Sequence, residues 1–273
     1  MKKFALIGEK LSHSISPFIH KQLFSLYGED ADYSIIEIPK SDFDAKTEKL
    51  SNLNGFNVTI PYKTNIISKL HYISDSAKDM GAVNTVAVKN GKFYGYNTDI
   101  DGFLLALNGA DIALSGRVLI LGSGGFSRMA VYSACRNGCE VFINSIEPES
   151  AKKIKEEMTL LFPDVKVNLL TEFDENASFD LIVNGTPVGM SGFDTESLPL
   201  PKSIIKNSKA YFDAVYNPLE TKAVAFAREN NIPALSGLSM LVLQAAKAQE
   251  IWNGVSFDKK DIEKIIGLSA EQI

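Results

Sequence analysis

Arg117-Val118-Leu119-Ile120-Leu121-Gly122-Ser123-Gly124-Gly125-Phe126-Ser127 is the stretch that decides how this chain is read. Residues 118–121 are continuously apolar, as a strand covered on both faces of a parallel sheet should be. They run into a turn with the spacing G-x-G-x-x-small (Gly122, Gly124, Ser127), and a helix is predicted from about Phe126 to Asn137, with Gly138 well placed to end it. A strand, a glycine turn and a helix start let the backbone approach a pyrophosphate at the helix N-terminus. The bland alternative is a tight strand-to-helix turn with no ligand. Phe126 is an irregularity, a bulky side chain where close approach favours a small one.

Working outward, apolar strands are predicted at 141–144, 165–169, 181–184 and 211–214, which makes a doubly wound, Rossmann-like domain over 100–236. Upstream, strands at 3–7, 33–38 and 55–58 alternate with helices at about 16–27 and 42–50. Asn90-Gly91 between apolar segments is the strongest short-range hairpin signal, so this sheet is expected to be parallel with an antiparallel edge. From Gly237 onward the pattern is helical, through Trp252 and then 258–266, with no further strand to extend the second sheet. The fold class is therefore α/β: a discontinuous N-terminal α/β substrate domain, 1–99 with 237–273, around an inserted dinucleotide-binding one.

Composition narrows the function. The 273 residues carry a net charge of −5 with no Lys/Arg cluster, which argues against a nucleic-acid partner. No apolar run approaches a membrane span, and residues 4–7 are too short for a signal peptide, so a cytoplasmic chain without membrane attachment is expected. Cys135 and Cys139 have no histidine nearby; they are read as core residues, and no metal site is expected.

Four segments carry chemistry. In Asn57-Val58-Thr59-Ile60-Pro61-Tyr62-Lys63, Pro61 suits a helix first turn, which would put Lys63 at a positively polarised helix start. An ammonium is awkward there unless it points into water or faces an anionic or reacting partner. In Ser12-His13-Ser14-Ile15-Ser16-Pro17, three hydroxyls at a helix start suit a carboxylate, although capping by Ser16 alone explains one of them; His13 is read as a loop neighbour. Asp99, after the hairpin, is either an N-cap or a catalytic group, and Asn84 and Thr85 put polar side chains at the hairpin rim. Gln244 interrupts an apolar helix face with Met240 and Ala248, so its amide needs a partner, backbone or ligand.

Together these residues resemble the shikimate dehydrogenases across essentially the whole chain. The resemblance is carried by Ser14-x-Ser16-Pro17, Asn57-Val58-Thr59-x-Pro61-x-Lys63, Gly81-Ala82-Val83-Asn84-Thr85, Asn97-Thr98-Asp99, Gly122–Gly125, Asn184-x-Thr186-Pro187-x-Gly189-Met190, Asp213-x-x-Tyr216-Asn217-Pro218-x-x-Thr221 and Gly237-x-x-Met240-Leu241-x-x-Gln244. It implies reversible reduction of 3-dehydroshikimate to shikimate with NADP, on the route to chorismate and aromatic amino acids. It also implies roles. Lys63 and Asp99 would be the catalytic pair; Ser14 and Ser16 would hold the substrate carboxylate; Thr59, Asn84, Asp99, Tyr216 and Gln244 would contact the rest of the substrate. Gly122, Ser123, Gly124, Gly125, Phe126, Asn144, Glu147, Thr186, Pro187, Ala214 and Gly237 would line the cofactor. The resemblance leaves monomer or homodimer open.

One segment departs from the family. After residues 141–144 the family usually supplies arginines for the 2′-phosphate of NADP, whereas this chain reads Asn144-Ser145-Ile146-Glu147-Pro148-Glu149. Phe126, Met129 and Ala214 differ too, all on the cofactor side. NAD is therefore a plausible or preferred cofactor, since Glu147 falls where Rossmann proteins place an acid for a free ribose 2′-OH. Lys152 and Lys153 are the compensating cations to consider. The rivals are a quinate/shikimate dehydrogenase with NAD preference, against which Ser16 counts because quinate-active relatives often change that serine, and a non-catalytic metabolite-binding regulatory paralogue.

Overall fold

Phe4 and Leu6 face one side of strand β1 (Lys2–Gly8), Ala5 and Ile7 the other, and all four are buried. That two-sided burial explains the unbroken apolar run. The computed structural model describes residues 1–11 and 14–273, so the readings of Ser12 and His13 lie outside the described residues. Two units are resolved: Met1–Gly102 with Leu241–Gln272, and Phe103–Met240.

In the first unit the chain continues through α1 (Ser16–Leu26), β2 (Ala31–Glu37), α2 (Phe43–Lys49), β3 (Gly55–Val58), β4 (Tyr72–Ile73), α3 (Asp75–Met80), β5 (Thr85–Lys89), β6 (Lys92–Tyr96) and the start of α4 (Thr98–Gly109). The sheet order is β2-β1-β3-β5-β6-β4. Register sets the faces: Ala5 pairs with Phe56 and Ile7 with Val58, and these four share a core with Phe43, Tyr62 and Phe93. Asn90 and Gly91 both have positive φ, 52° and 70°, the two left-handed positions of a type I′ hairpin turn.

The expected antiparallel edge is corrected. Among the described strands, β5 alone runs against its neighbours, and it lies inside the sheet between β3 and β6, while two-residue β4 forms the edge parallel to β6. Residues 72–73 are too few for a period-2 pattern to be visible.

The second unit holds β7 (Arg117–Leu121), α5 (Gly125–Arg136), β8 (Glu140–Asn144), α6 (Pro148–Leu161), β9 (Val167–Leu170), β10 (Leu181–Asn184), α7 (Lys202–Lys206), β11 (Tyr211–Asp213), α8 (Lys222–Glu229) and β12 (Ala234–Leu235). Its order, β12-β11-β10-β7-β8-β9, is parallel throughout and reverses beside β7, the doubly wound pattern that the glycine turn predicts. Cys135 and Cys139 are buried free thiols, their pKa values pushed up to about 12 and about 11, first by burial.

From Leu241 onward the last helices, α9 (Leu238–Asn253) and α10 (Lys259–Ala270), belong to the first unit. Val242, Ala245, Ile262 and Ile265 pack with Ile19 and Leu23 of α1, where each fully buried Ile or Leu contributes roughly 1.5–3 kcal/mol. Trp252 of α9 donates from its indole to the carbonyl of Val86 at 2.9 Å. It also explains Gly55: a Cβ there would lie 2.4 Å from Trp252 Nε1. Among the described residues no helix is long and apolar enough to cross a membrane.

Candidate active site

The reversed strand β5 matters for chemistry. Asn57 pairs with Thr85 and Thr85 with Tyr96, so the N-terminal end of β5 meets the carboxyl ends of β3 and β6. The residues just beyond these ends, Thr59, Asn84 and Asp99, therefore gather at one edge of the sheet, where open α/β sheets place ligands. Lys63 reaches the same edge by a route that the sequence misrepresents. No helix starts at Pro61; the chain makes turns, and only a five-residue 3₁₀ segment follows, Asn65–Lys69. The reason is local. Tyr62 is buried with its hydroxyl bonded to the carbonyl of Ile38, and the Lys63 carbonyl accepts from Val83 N–H at 2.8 Å instead of from a helical neighbour.

Lys63 Nζ lies 2.6 Å from Asp99 Oδ2, with both side chains partly exposed, 32% and 20%. The other carboxylate oxygen, Oδ1, accepts from Asn84 Nδ2 at 2.8 Å. Asp99 does not cap α4: Asn97 Oδ1 accepts from the Asp99 N–H at 3.1 Å, which leaves the Asp99 carboxylate free for Lys63 and Asn84. Lys63 thus faces an anionic partner while still partly exposed, and Asp99 is not the cap of α4.

Ser14 and Ser16 stand side by side, their hydroxyls 3.2 Å apart. Ser16 is the first residue of α1 rather than its cap; Ile15 occupies the cap position without a side-chain bond, and Pro17 sits in the first turn. Both hydroxyls are thus left at a helix N-terminus. Thr59 is half-buried, with its N–H bonded to the Ile7 carbonyl. Gln244 is buried; its Nε2 donates to the Leu241 carbonyl at 2.9 Å and its Oε1 accepts a long bond from Thr98 Oγ1 at 3.5 Å. The amide thus finds protein partners, though with acceptor capacity to spare.

The second unit holds the remaining residues. Gly122 has φ +92° and donates its N–H to the Asn144 carbonyl at 2.7 Å. A Cβ at Gly124 or Gly125 would meet no atom within 4 Å, so the backbone at the start of α5 is open to a ligand. Phe126 ceases to be an irregularity: it stacks on Phe212 at 6.0 Å and 10°, inside the unit. The close approach is made instead by Ser127, whose hydroxyl bonds the Leu121 carbonyl and leaves no room for a side chain at Gly185. Asn144 spends its amide on the Leu170 carbonyl at 2.9 Å. Ser145 Oγ lies 2.9 Å from Ser123 Oγ and accepts from Glu147 N–H at 3.0 Å, while Ile146 is fully exposed. Glu147 occupies the cap position of α6, exposed.

Thr186 bonds through Oγ1 to Asn184 Oδ1 at 2.7 Å, and Asn184 Nδ2 donates to Asp213 Oδ1 at 3.0 Å. Asp213 also accepts from Thr221 and Val215 N–H; burial nonetheless raises its carboxyl to about 6, against those three bonds. The quoted segments around 184–190 and 213–221 are thus one buried network that shapes the turn carrying Thr186 and Pro187. Ala214 donates its N–H to the Asn184 carbonyl, and a Cβ at Gly237 would lie 2.3 Å from the Ala214 carbonyl oxygen. Tyr216 follows β11, half-buried, its phenol pKa raised by burial.

From the sequence, Thr85 is placed only at the hairpin rim, and Asn57, Asn97 and Thr98 are given no individual role. The signal for Asn57 was present: an amide inside the buried strand Gly55-Phe56-Asn57-Val58 must be bonded.

A Rossmann-ordered sheet with an open glycine turn, in one chain with an α/β unit carrying a lysine–aspartate pair, defines a dinucleotide-dependent class of α/β enzyme. Residues 6–86 match the family model described as shikimate dehydrogenase substrate binding domain. Shikimate dehydrogenase (NADP(+)) of Clostridium perfringens (strain SM101 / Type A) is 39% identical over 277 residues, covering 97% of each chain. Among solved structures, shikimate 5-dehydrogenase of Thermus thermophilus in complex with NADP(H) and shikimate has a TM-score of 0.87 at 30% identity, covering 98% of this chain and 100% of that one. The Listeria monocytogenes enzyme in complex with shikimate and NAD has a TM-score of 0.88 at 30% identity, covering 97% and 96%. The chain belongs to the shikimate dehydrogenase family.

Proposed function

We propose that this chain is a shikimate dehydrogenase, interconverting 3-dehydroshikimate and shikimate with a nicotinamide dinucleotide. One observation carries the reading: Lys63 Nζ at 2.6 Å from an Asp99 carboxylate whose other oxygen is held by Asn84, at the ligand-binding edge of the sheet. The open backbone at Gly124 and Gly125, where α5 begins, fits a pyrophosphate. When bound, the dinucleotide supplies or accepts the hydride. Ser14 and Ser16 hold the substrate carboxylate, and Thr59, Asn84 and Gln244 hold its hydroxyl face. As negative charge builds on the carbonyl oxygen, Lys63 Nζ delivers a proton to it. Asp99, accepting from Lys63 and Asn84, aims that ammonium; in the reverse direction Lys63 takes the hydroxyl proton. The assignment of Tyr216 to substrate rests on the family resemblance. The reading places the enzyme in the cytoplasm, acting as a monomer or a homodimer.

Initial rates with shikimate and with quinate, each with NAD and NADP, test this reading. Turnover of shikimate with a higher kcat/KM than quinate supports it; binding of shikimate without turnover favours the regulatory paralogue.

A second reading concerns the dinucleotide. Relatives are named as NADP(+) enzymes, and NADP is the family's cofactor. What supports comparable or better use of NAD here is the turn after β8. Ser145 is tied to Ser123, Ile146 is exposed, and the Glu147 carboxylate stands at the head of α6, with Lys152 and Lys153 exposed one turn on. A 2′-phosphate meets repulsion from Glu147 and gains no guanidinium fork from positions 145–147. Titration of both dinucleotides decides it, and an NADP preference of about a hundredfold or more overturns this second reading.

A further inference from the structure

Behind the lysine–aspartate pair runs a buried line of hydrogen bonds whose direction can be worked out. Asn57 Nδ2 faces two oxygens, the Asn84 carbonyl at 3.2 Å and Thr85 Oγ1 at 2.9 Å, so its Oδ1 faces Tyr33, whose hydroxyl donates to it at 2.7 Å. Thr85 Oγ1 accepts from Asn57 and lies 3.0 Å from Thr98 Oγ1, so its own hydrogen points to Thr98. Thr98 Oγ1 also accepts from Asn84 Nδ2 at 3.0 Å, which turns its hydrogen toward Asn84 Oδ1 and Gln244 Oε1, at 3.3 and 3.5 Å. The Asn84 amide is oriented by Thr98 N–H on Oδ1, at 2.7 Å, and hands Nδ2 to Asp99. Tyr33, Asn57, Thr85 and Thr98 are all buried, Thr85 and Thr98 completely, so solvent has little access to the line.

We infer that Tyr33, Asn57, Thr85 and Thr98 are positioning residues for the reaction, a one-way hydrogen-bond line that orients Asn84 and, through it, Asp99 and Lys63. The inference rests on the dehydrogenase reading. A hydroxyl at 85 is the junction of the line: without it Asn57 Nδ2 and Thr98 Oγ1 each lose a partner, and the Asn84 amide is free to turn away from Asp99.

The test separates hydroxyl from bulk. Thr85→Val keeps the shape and removes the hydroxyl, while Thr85→Ser keeps the hydroxyl and removes a methyl. For one hydrogen bond's worth of orientation, kcat for shikimate oxidation should fall about three- to tenfold in Thr85→Val. Thr85→Ser should stay within about twofold of wild type, and the dinucleotide KM should not move in either variant. A merely structural role predicts the opposite, Ser as damaging as Val, and that result overturns the inference. Tyr33→Phe, which deletes only the far end of the line, gives a second arm. A drop in kcat with unchanged dinucleotide KM supports the line; wild-type kinetics in Tyr33→Phe and Thr85→Val together overturn it. A wild type that turns over shikimate with neither dinucleotide instead sinks the dehydrogenase reading on which the inference stands.

Discussion

Lys63 Nζ and Asp99 Oδ2 meet at 2.6 Å across 36 positions of sequence, because the chain leaves β3 at its carboxyl end and comes back to that same end of the sheet through β5 and β6. The carboxylate takes Lys63 on one oxygen and Asn84 on the other, so its orientation is fixed from two sides. Asp99→Asn removes the charge and sets an amide N–H against either the ammonium or the Asn84 donor. The expected outcome is a loss of about 10²-fold or more in kcat, with dinucleotide KM unchanged. Steady-state kinetics check it, and an Asp99→Asn enzyme with wild-type kcat removes Asp99 from the reaction.

Gln244 is the residue whose loss should separate substrate from cofactor binding. It sits in α9 with Oε1 only weakly engaged by Thr98. Gln244→Ala should weaken shikimate binding by roughly 1–3 kcal/mol, the cost of leaving a buried polar partner unpaired. Calorimetric titration of shikimate and of dinucleotide should show the loss for shikimate only. Equal losses for both would give Gln244 a structural role.

Selectivity for the dinucleotide should move with position 145. Ser145→Arg supplies a guanidinium fork in place of a hydroxyl that now bonds Ser123. The ratio of kcat/KM for NADP over NAD should rise by about tenfold, the scale of one charge-assisted pair. An unchanged ratio would place the 2′-substituent away from this turn.

Two buried groups should titrate in opposite senses. His20 is fully buried and neutral, its pKa depressed by burial from 6.5 to about 3. Gln249 Oε1 accepts from Tyr27 and Asn253, so its Nε2 donates to His20 Nδ1 at 2.8 Å and blocks protonation there. Between pH 6.5 and about 3 the unfolded chain binds a proton that the folded chain refuses. Stability from this group is complete above that window and falls as pH drops, by roughly 2 kcal/mol between about pH 7 and about pH 5. Asp213, raised by burial from 3.8 to about 6, acts the other way: the folded chain binds the proton first, and stability from it rises as pH falls through that window. The two contributions largely offset in whole-protein melting, so the check is NMR of the His20 ring, which should show no titration down to about pH 5. A His20 midpoint near its ordinary value contradicts the burial argument.

Much of the fold is legible in the chain because local pattern and tertiary role agree. β7 is an unbroken apolar run since helices cover both faces, and Asn90-Gly91 forms its hairpin because both residues tolerate positive φ. Where they disagree, the sequence misleads. Pro61 reads as a helix start, yet Tyr62 is drawn into the core and the Lys63 carbonyl is claimed by Val83, 20 positions on, so the backbone turns instead. The side-chain network from Tyr33 to Asp99 was hidden for a related reason. Each bond in it depends on strand register, which is a property of the sheet rather than of any local segment. Capping by Ser16, the bland alternative that its place before Pro17 suggests, does not occur: Ile15 takes the cap position and the Ser16 hydroxyl accepts from Ser14.

The most direct test of the account is a comparison of shikimate oxidation by the wild-type chain and by Lys63→Ala, as initial rates with NADP and with NAD. The account predicts wild-type turnover with at least one dinucleotide, and a loss of about 10²–10⁴-fold in kcat in Lys63→Ala with a smaller change in KM. A Lys63→Ala enzyme that keeps near wild-type kcat would contradict it.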